Sequence, residues 1–140
     1  MNKTHDDLNK ILRGELSATE TYRQALDKIR GEYGQDARFA QLSQMLQDHE
    51  QAASQLRAMI QETGGTASND SGAWGTWSKA VMGTAKLLGD KAALKALKEG
   101  EESGLKDWDS VAPDVRNRFS SVISREQEHV RQLDRMIEAA

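Results

Sequence analysis

The chain has no cysteine and only one proline among its 140 residues. Without cysteine, disulfide bridges, thiolate metal sites and cysteine nucleophiles are excluded, while the redox compartment stays open. Aromatic residues account for only 5% of the chain, against 37% hydrophobic and 29% charged residues. This balance favours a soluble helical bundle. The length suffices for one domain with one core, so we expect residues 1–140 to form a single domain.

The chain also lacks a strong excess of charge of either sign. Its formal net charge is -3, and acidic and basic residues are mixed along every segment, which leaves no basic face for nucleic acid and no polybasic patch for anionic lipid. Met1 to Asp7 is polar, and no later stretch is apolar for long enough to span a membrane. We therefore expect a cytoplasmic protein with no nucleic-acid and no membrane partner.

The motifs of several enzyme classes are missing too. The sequence contains no nucleophile triad, no phosphate-binding glycine loop and no nucleotide-binding fingerprint. Hydrolase and kinase functions therefore have no support from the sequence.

Apolar residues recur at helical spacing through most of the chain and predict an all-α protein. Two helical hairpins are expected, the first over about 3–62 and the second over about 91–140, joined by a crossover over about 63–90. Gly31 to Gln35 is predicted to be a turn with a glycine stop. The predicted helices run from about Lys3 to Arg30, from about Asp36 to Glu62, from Trp74 to near Gly89, from Asp90 to before Pro113, and from about Asp114 onward.

Five polar residues occupy positions that the helical periodicity assigns to the core. In the last helix a glutamate and a histidine three residues apart interrupt the apolar stripe and project from the same face. In the other long helices a glutamate or a histidine takes a position in the apolar stripe. An unpaired buried charge costs several kcal/mol, so these side chains need partners. The five residues are Glu15, His49, Glu101, Glu126 and His129.

The two halves of the chain repeat each other. A Gly-Glu pair ends at Glu15 in the first half and at Glu101 in the second, and an aromatic residue follows each glutamate by seven residues. Later in each half, Gln-Asp-His at 47–49 is echoed by Gln-Glu-His at 127–129. Each half is therefore predicted to be a hairpin with a glutamate and then a histidine inside. Two such hairpins packed face to face would bring the five polar residues to one level.

This arrangement resembles the ferritin-like superfamily, whose rubrerythrin-type members carry a Gly-Glu pair on helices one and three and Glu-x-x-His on helices two and four. The Leu-x-x-Ile-Leu-Arg-Gly-Glu opening, the tryptophan-containing crossover and the Gly-Glu repeat are more closely similar to a bacterial family of uncharacterised four-helix-bundle proteins, the DUF2383 type. The resemblance implies a ferritin-like four-helix bundle of two hairpins, with a short extra helix in the crossover.

The resemblance also implies a metal centre in the bundle core. Glu15 and Glu101 would be terminal carboxylates, Glu126 the bridging one, and His49 and His129 neutral imidazole ligands. Such a mixed oxygen and nitrogen set suits one or two ions of iron, manganese or zinc. The function implied is metal binding of the non-haem iron type, linked to oxygen or peroxide.

One position departs from the superfamily pattern and keeps a second function open. Leu46 stands three residues before His49, where a ligand glutamate is expected, so a bridging carboxylate is missing. The alternative is a metal-free bundle whose buried residues form a closed hydrogen-bond and ion-pair network. Such a protein would act as a structural or stress-related protein-interaction module.

The crossover carries the other feature with two interpretations. Trp74 and Trp77 fall on its short predicted helix. They would either cover one flank of the bundle as a lid or anchor a homodimer or partner surface, because tryptophan is enriched at interface centres.

Overall fold

The computed structural model describes residues 3–33, 37–71 and 90–139, and every element of regular structure in these ranges is helical. The all-α prediction is therefore confirmed for the described chain. The sole proline opens a helix, where its missing N–H is not needed. The elements are α1 (Lys3–Tyr33), α2 (Ala37–Glu62), α3 (Asp90–Asp107), a 3₁₀ turn (Trp108–Ser110), α4 (Pro113–Asn117) and α5 (Ser120–Ala139).

Two predicted helix boundaries are wrong. α1 continues past Gly31, because one glycine costs a helix only about 1 kcal/mol. The final helix is not continuous from Asp114: the N–H groups of Arg118 and Phe119 bond to carbonyls three residues back, at 3.0 and 2.9 Å, and separate α4 from α5. This tighter turn is of the 3₁₀ type. It accompanies the packing of Phe119 on Trp108, whose ring centroids are 5.3 Å apart.

The crossover begins with a defined end of α2. Gly64 has a φ of 87°. Its N–H bonds to the carbonyl of Gln61 at 3.1 Å, and the N–H of Gly65 bonds to the carbonyl of Ile60 at 2.8 Å. These bonds form a Schellman motif, in which the positive φ favours glycine at position 64.

The described part of the crossover, residues 63–71, lies along α1. The Asn9 amide donates to the carbonyl of Thr66 at 3.0 Å, and its side-chain oxygen accepts from the N–H of Ser68 at 2.8 Å. Arg13 Nη1 donates to Ser68 Oγ at 3.1 Å. Side-chain hydrogen bonds from α1 therefore fix the course of this segment.

The remaining predictions about the crossover fall mostly outside the described residues. The short helix with Trp74 and Trp77, and with it the homodimer surface, lies in that part of the chain. α3 begins at Asp90, the residue at which the sequence predicts this helix to start. Among the described helices, none is both long enough and apolar enough to cross a membrane.

The four long helices contact one another in a ring. α1 packs mainly against α2 and α3 mainly against α5, while α1 also contacts α3 and α2 contacts α5. Two apolar clusters fill the interior, one including Leu12 and Leu56 and the other including Tyr22 and Leu133. On α1, Glu15 lies between Leu12 of the first cluster and Tyr22 of the second. A polar layer therefore separates two apolar ones.

The buried stripe of α2 contains Met45 but not Leu46. Met45 is 1% exposed, whereas Leu46 is only half-buried, at the edge of the second apolar cluster. The Tyr22 hydroxyl approaches Met45 Sδ at 3.5 Å, so Met45 rather than Leu46 fills the space beside the polar layer. The position at which a ligand glutamate is missing therefore lies at the margin of the core.

Candidate metal centre

The structure brings all five polar residues of the predicted cluster together. α1 contributes Glu15, α2 His49, α3 Glu101, and α5 both Glu126 and His129. None of the five is more than 5% exposed. They meet because each lies within the apolar stripe of its helix, and the stripes of the four helices face one interior.

His49 lies at the centre of this cluster. Its Nδ1 is 2.5 Å from Glu15 Oε2 and 3.6 Å from Glu126 Oε2, and its Nε2 is 2.6 Å from Glu101 Oε1. Burial by itself lowers the pKa of an imidazole, but the negative charges of Glu101 and Glu15 outweigh it and raise the pKa of His49 well above its usual value. Without a metal ion, His49 is therefore an imidazolium that donates to both carboxylates.

The two oxygens of Glu101 have opposite surroundings. Oε1 accepts hydrogen bonds from the Tyr22 hydroxyl at 2.7 Å and from His49 Nε2, and it lies 3.1 Å from His129 Nδ1. Burial raises the pKa of the Glu101 carboxyl, but the two histidines reverse the effect and hold it below its usual range. Oε2 is buried and has no hydrogen-bond partner among the described residues. A buried, unpartnered carboxylate oxygen is costly, so this atom needs a cation or a donor.

Asp48 contacts the ring nitrogen of His129 that points away from Glu101. His129 Nε2 is 2.8 Å from Asp48 Oδ2. Because the carboxylate oxygen accepts, a ring hydrogen lies on Nε2, and the other ring nitrogen, Nδ1, faces Glu101. A carboxylate that fixes the tautomer and orientation of an imidazole in this way is typical of metal-binding histidines.

Glu126 lies beside Glu15 and Trp108. The indole Nε1 of Trp108 donates to Glu126 Oε1 at 3.4 Å. Burial, followed by the charge and the hydrogen bond of Glu15, raises the pKa of Glu126 well above its usual value. A proton held on Glu126 relieves the repulsion between these two carboxyl groups.

Two groups of three donors have the spacing that a metal ion requires. One consists of His49, Glu101 and His129 and the other of Glu15, His49 and Glu126; within each group the ligand atoms lie within 4.8 Å of one another. Imidazole nitrogen with carboxylate oxygen suits iron, manganese and zinc. The buried cluster could therefore hold a metal ion, and both groups would draw on the same histidine.

A cavity of about 30 Å³ adjoins the cluster between α1 and α3. Its wall includes Tyr22, His49 and Glu101, together with the small residues Gly100 and Gly104. A volume of this size holds about one water molecule. A molecule of very few atoms can therefore lie against the candidate ligands.

Sequence reasoning missed Asp48 as a member of the site. Asp48 neighbours His49 in sequence, but its carboxylate binds His129 of the other half. The sequence feature that could have identified Asp48 is the repeated Gln-acid-His motif, in which an acidic residue precedes each histidine. Tyr22 and Trp108, the aromatic residues that follow the two glutamates, contribute more than core volume, since both donate hydrogen bonds to carboxylates of the cluster.

Comparison with known proteins identifies a family but no characterised relative. The model of the family described as "Domain of unknown function (DUF2383)" matches residues 3–112. That range contains Glu15, His49 and Glu101, whereas Glu126 and His129 lie beyond it. Searches of curated proteins and of solved structures give no significant match. Because the match covers well over half of the 140 residues, the chain belongs to the DUF2383 family.

Proposed function

We propose that this protein is a ferritin-like metal-binding protein that holds a divalent ion, of the non-haem iron type, in its buried carboxylate and histidine cluster. The observation that carries the proposal is the carboxylate of Glu101. Its Oε2 is buried without a partner among the described residues, while its Oε1 faces nitrogens of His49 and His129. A cation at this point would compensate an oxygen that no donor of the described residues reaches.

The donor set suits such an ion. Glu101, His49 and His129 would contact it, with Glu15 and Glu126 on the other side of His49. A bound iron or manganese ion would supply Lewis acidity and one-electron chemistry with oxygen or peroxide. Tyr22 and Trp108 hold two of the carboxylates in place by hydrogen bonds, so the cluster is organised before an ion arrives.

The ferritin-like architecture is part of this proposal. The ring of contacts among α1, α2, α3 and α5, together with the internal repeat, supports one four-helix-bundle domain built from two hairpins. Each hairpin would contribute a glutamate from its first helix and a histidine from its second. Iron is the preferred ion because the non-haem iron proteins of this architecture use the same ligand types.

Metal content per chain tests the proposal. Protein purified without chelator, and again after anaerobic addition of Fe(II), is expected to contain iron in a stoichiometric amount. Glu126→Ala combined with His129→Ala should abolish uptake while circular dichroism stays helical. Gln127→Ala combined with Glu128→Ala changes the two residues between them and should bind as the wild type does. Equal metal content in the first variant and the wild type would reject this site.

A second candidate function is favoured by the contacts of His49. With its two nitrogens 2.5 and 2.6 Å from Glu15 and Glu101, the imidazolium already neutralises buried charge without metal. The protein would then be a metal-free bundle that serves as a structural or stress-related interaction module. Absence of binding and an unchanged melting temperature in excess Fe(II), Mn(II) and Zn(II) would favour this function, because an ion that binds the folded state must raise the melting temperature.

A further inference from the structure

The two histidines of the cluster are held in the same way. His49 has Glu15 on Nδ1 and Glu101 on Nε2, and His129 has Asp48 on Nε2 and Glu101 on Nδ1. Each imidazole therefore has one nitrogen facing an orienting carboxylate and the other facing Glu101. The three residues with converging atoms form a set of two histidines and one carboxylate.

We propose that the protein binds one ion per chain through His49 Nε2, His129 Nδ1 and Glu101, and that the cavity between α1 and α3 receives a small exogenous ligand of that ion. The proposal rests on the proposed metal binding and adds the number of ions, the ligand set and the ligand-binding side. In this arrangement Glu15 and Asp48 are positioning residues that orient His49 and His129 by hydrogen bonds. Glu15 does not contact the ion.

The chemistry of imidazole limits the number of ions. A neutral imidazole has one nitrogen lone pair, because its other nitrogen carries hydrogen. The second donor group, Glu15, His49 and Glu126, would need the Nδ1 of His49, and that nitrogen is 2.5 Å from Glu15 Oε2, its hydrogen-bond acceptor. If Nε2 of His49 binds an ion beside Glu101, the only ligand atoms left in the second group are the carboxyl oxygens of Glu15 and Glu126. Leu46 adds none.

The ligand set indicates positions open to an exogenous molecule. Two histidines and one carboxylate occupy one face of a non-haem Fe(II) ion and leave other positions open. The wall of the cavity includes His49 and Glu101 together with Glu15 and Glu126, and His129 is not part of it. Glu101 also carries Oε2, the buried oxygen without a hydrogen-bond partner among the described residues. The same residue therefore offers an unpartnered ligand atom and borders the cavity.

The small volume of the cavity favours a ligand of few atoms. Its volume is about 30 Å³, close to that of a single water. Glycine at position 104 keeps its outer wall open, since a Cβ built on Gly104 would meet no atom within 4 Å. We expect a larger side chain at this position of the wall to extend into the cavity.

Anaerobic Fe(II) titration with nitric oxide as the probe tests both parts. The wild type should bind one iron per chain and, with nitric oxide, give the half-integer-spin EPR signal of an isolated iron–nitrosyl. Glu101→Gln should lose the iron, whereas Glu15→Gln should keep one iron at reduced affinity. Two irons per chain would overturn this inference and leave the proposed metal binding intact, whereas no iron in the wild type would overturn both.

Gly104→Leu tests the cavity. This variant should still bind one iron but lose most of the nitrosyl signal, and Gly104→Ala should lose a smaller part. Ser103→Leu, at an exposed position of the same helix, is the control and should behave as the wild type does. Circular dichroism and iron content establish that each variant is folded and loaded. A full nitrosyl signal in loaded Gly104→Leu would overturn the assignment of the cavity.

Discussion

The two halves of the chain place the same residue types at the same spacing, yet these residues have different partners. His49 of the first half lies between Glu15 and Glu101, at 2.5 and 2.6 Å. His129 of the second half lies between Glu101 and Asp48, at 3.1 and 2.8 Å. Both histidines therefore use Glu101, and neither hairpin is complete without the other.

Two further pairs of residues that are equivalent in the repeat also differ in their partners or their burial. Asp48 reaches across to His129, whereas its equivalent Glu128 pairs with Arg131 and Arg135 on the surface of its own helix, at 2.8 and 3.2 Å. The equivalent of Glu126 is Leu46, at the edge of the core. The repeat thus preserves the residue types and their spacing, but not the residues with which they pair.

The largest effect is expected from comparing the two histidines. In metal-free protein, His49→Ala leaves Glu15 and Glu101 without their shared cation and should lower the free energy of unfolding by about 3–5 kcal/mol, the cost of breaking a buried ion pair. His129→Ala should cost less, because Glu101 keeps Tyr22 and His49 as donors. Both variants should lose the metal ion. Urea unfolding measures the difference, and a larger loss for His129→Ala would show that the central place of His49 is wrong.

Restoring the missing carboxylate should change the number of ions. Leu46→Glu puts a glutamate three residues before His49, as Glu126 precedes His129, and should raise the metal content from one to two ions per chain. Its control is Leu46→Gln, which has nearly the same shape without the charge and should remain at one. If both variants bind one ion, position 46 does not set the asymmetry between the halves.

The orienting carboxylate should affect affinity more than its surface equivalent. Asp48→Ala removes the acceptor that fixes the His129 ring and should weaken metal binding by roughly 10- to 100-fold. Glu128→Ala breaks only exposed pairs and should leave the affinity unchanged. Competition titrations with a fluorescent chelator provide the comparison. Equal effects of the two substitutions would contradict the role assigned to Asp48.

Metal affinity should fall as the pH is lowered. The raised pKa of His49 means that the metal-free protein still holds this proton near neutral pH, so an ion must displace it. As the pH falls the proton competes better, and the apparent affinity should drop by roughly tenfold per pH unit for each proton displaced. Calorimetric titrations in buffers of different ionisation enthalpy count the released protons. Binding without proton release would exclude His49 as a ligand.

Periodicity was enough to find the polar layer. Glu15, His49, Glu101, Glu126 and His129 interrupt apolar stripes, and a residue in a stripe points inward whichever helix it meets. The helical type of the elements and most of their boundaries followed from the same pattern, since the chain has only one proline to interrupt it.

Periodicity did not predict which side chains pair with each other or where a helix is interrupted. Asp48 lies beside the stripe of its own helix, and only the approach of α5 gives it His129 as a partner. Met45 is buried in place of Leu46 and contacts the Tyr22 hydroxyl of another helix. The tight turn at Arg118 and Phe119 accompanies the packing on Trp108, a contact between distant parts of the chain. Such choices depend on tertiary packing, which a one-dimensional pattern does not contain.

The most direct test of a histidine-centred metal site is anomalous diffraction at the iron edge from crystals grown anaerobically with Fe(II). We expect one anomalous peak per chain, within bonding distance of His49 Nε2, His129 Nδ1 and the Glu101 carboxylate. A cluster with no peak, and with His49 still bridging Glu15 and Glu101, would contradict metal binding and leave the five residues as a structural network.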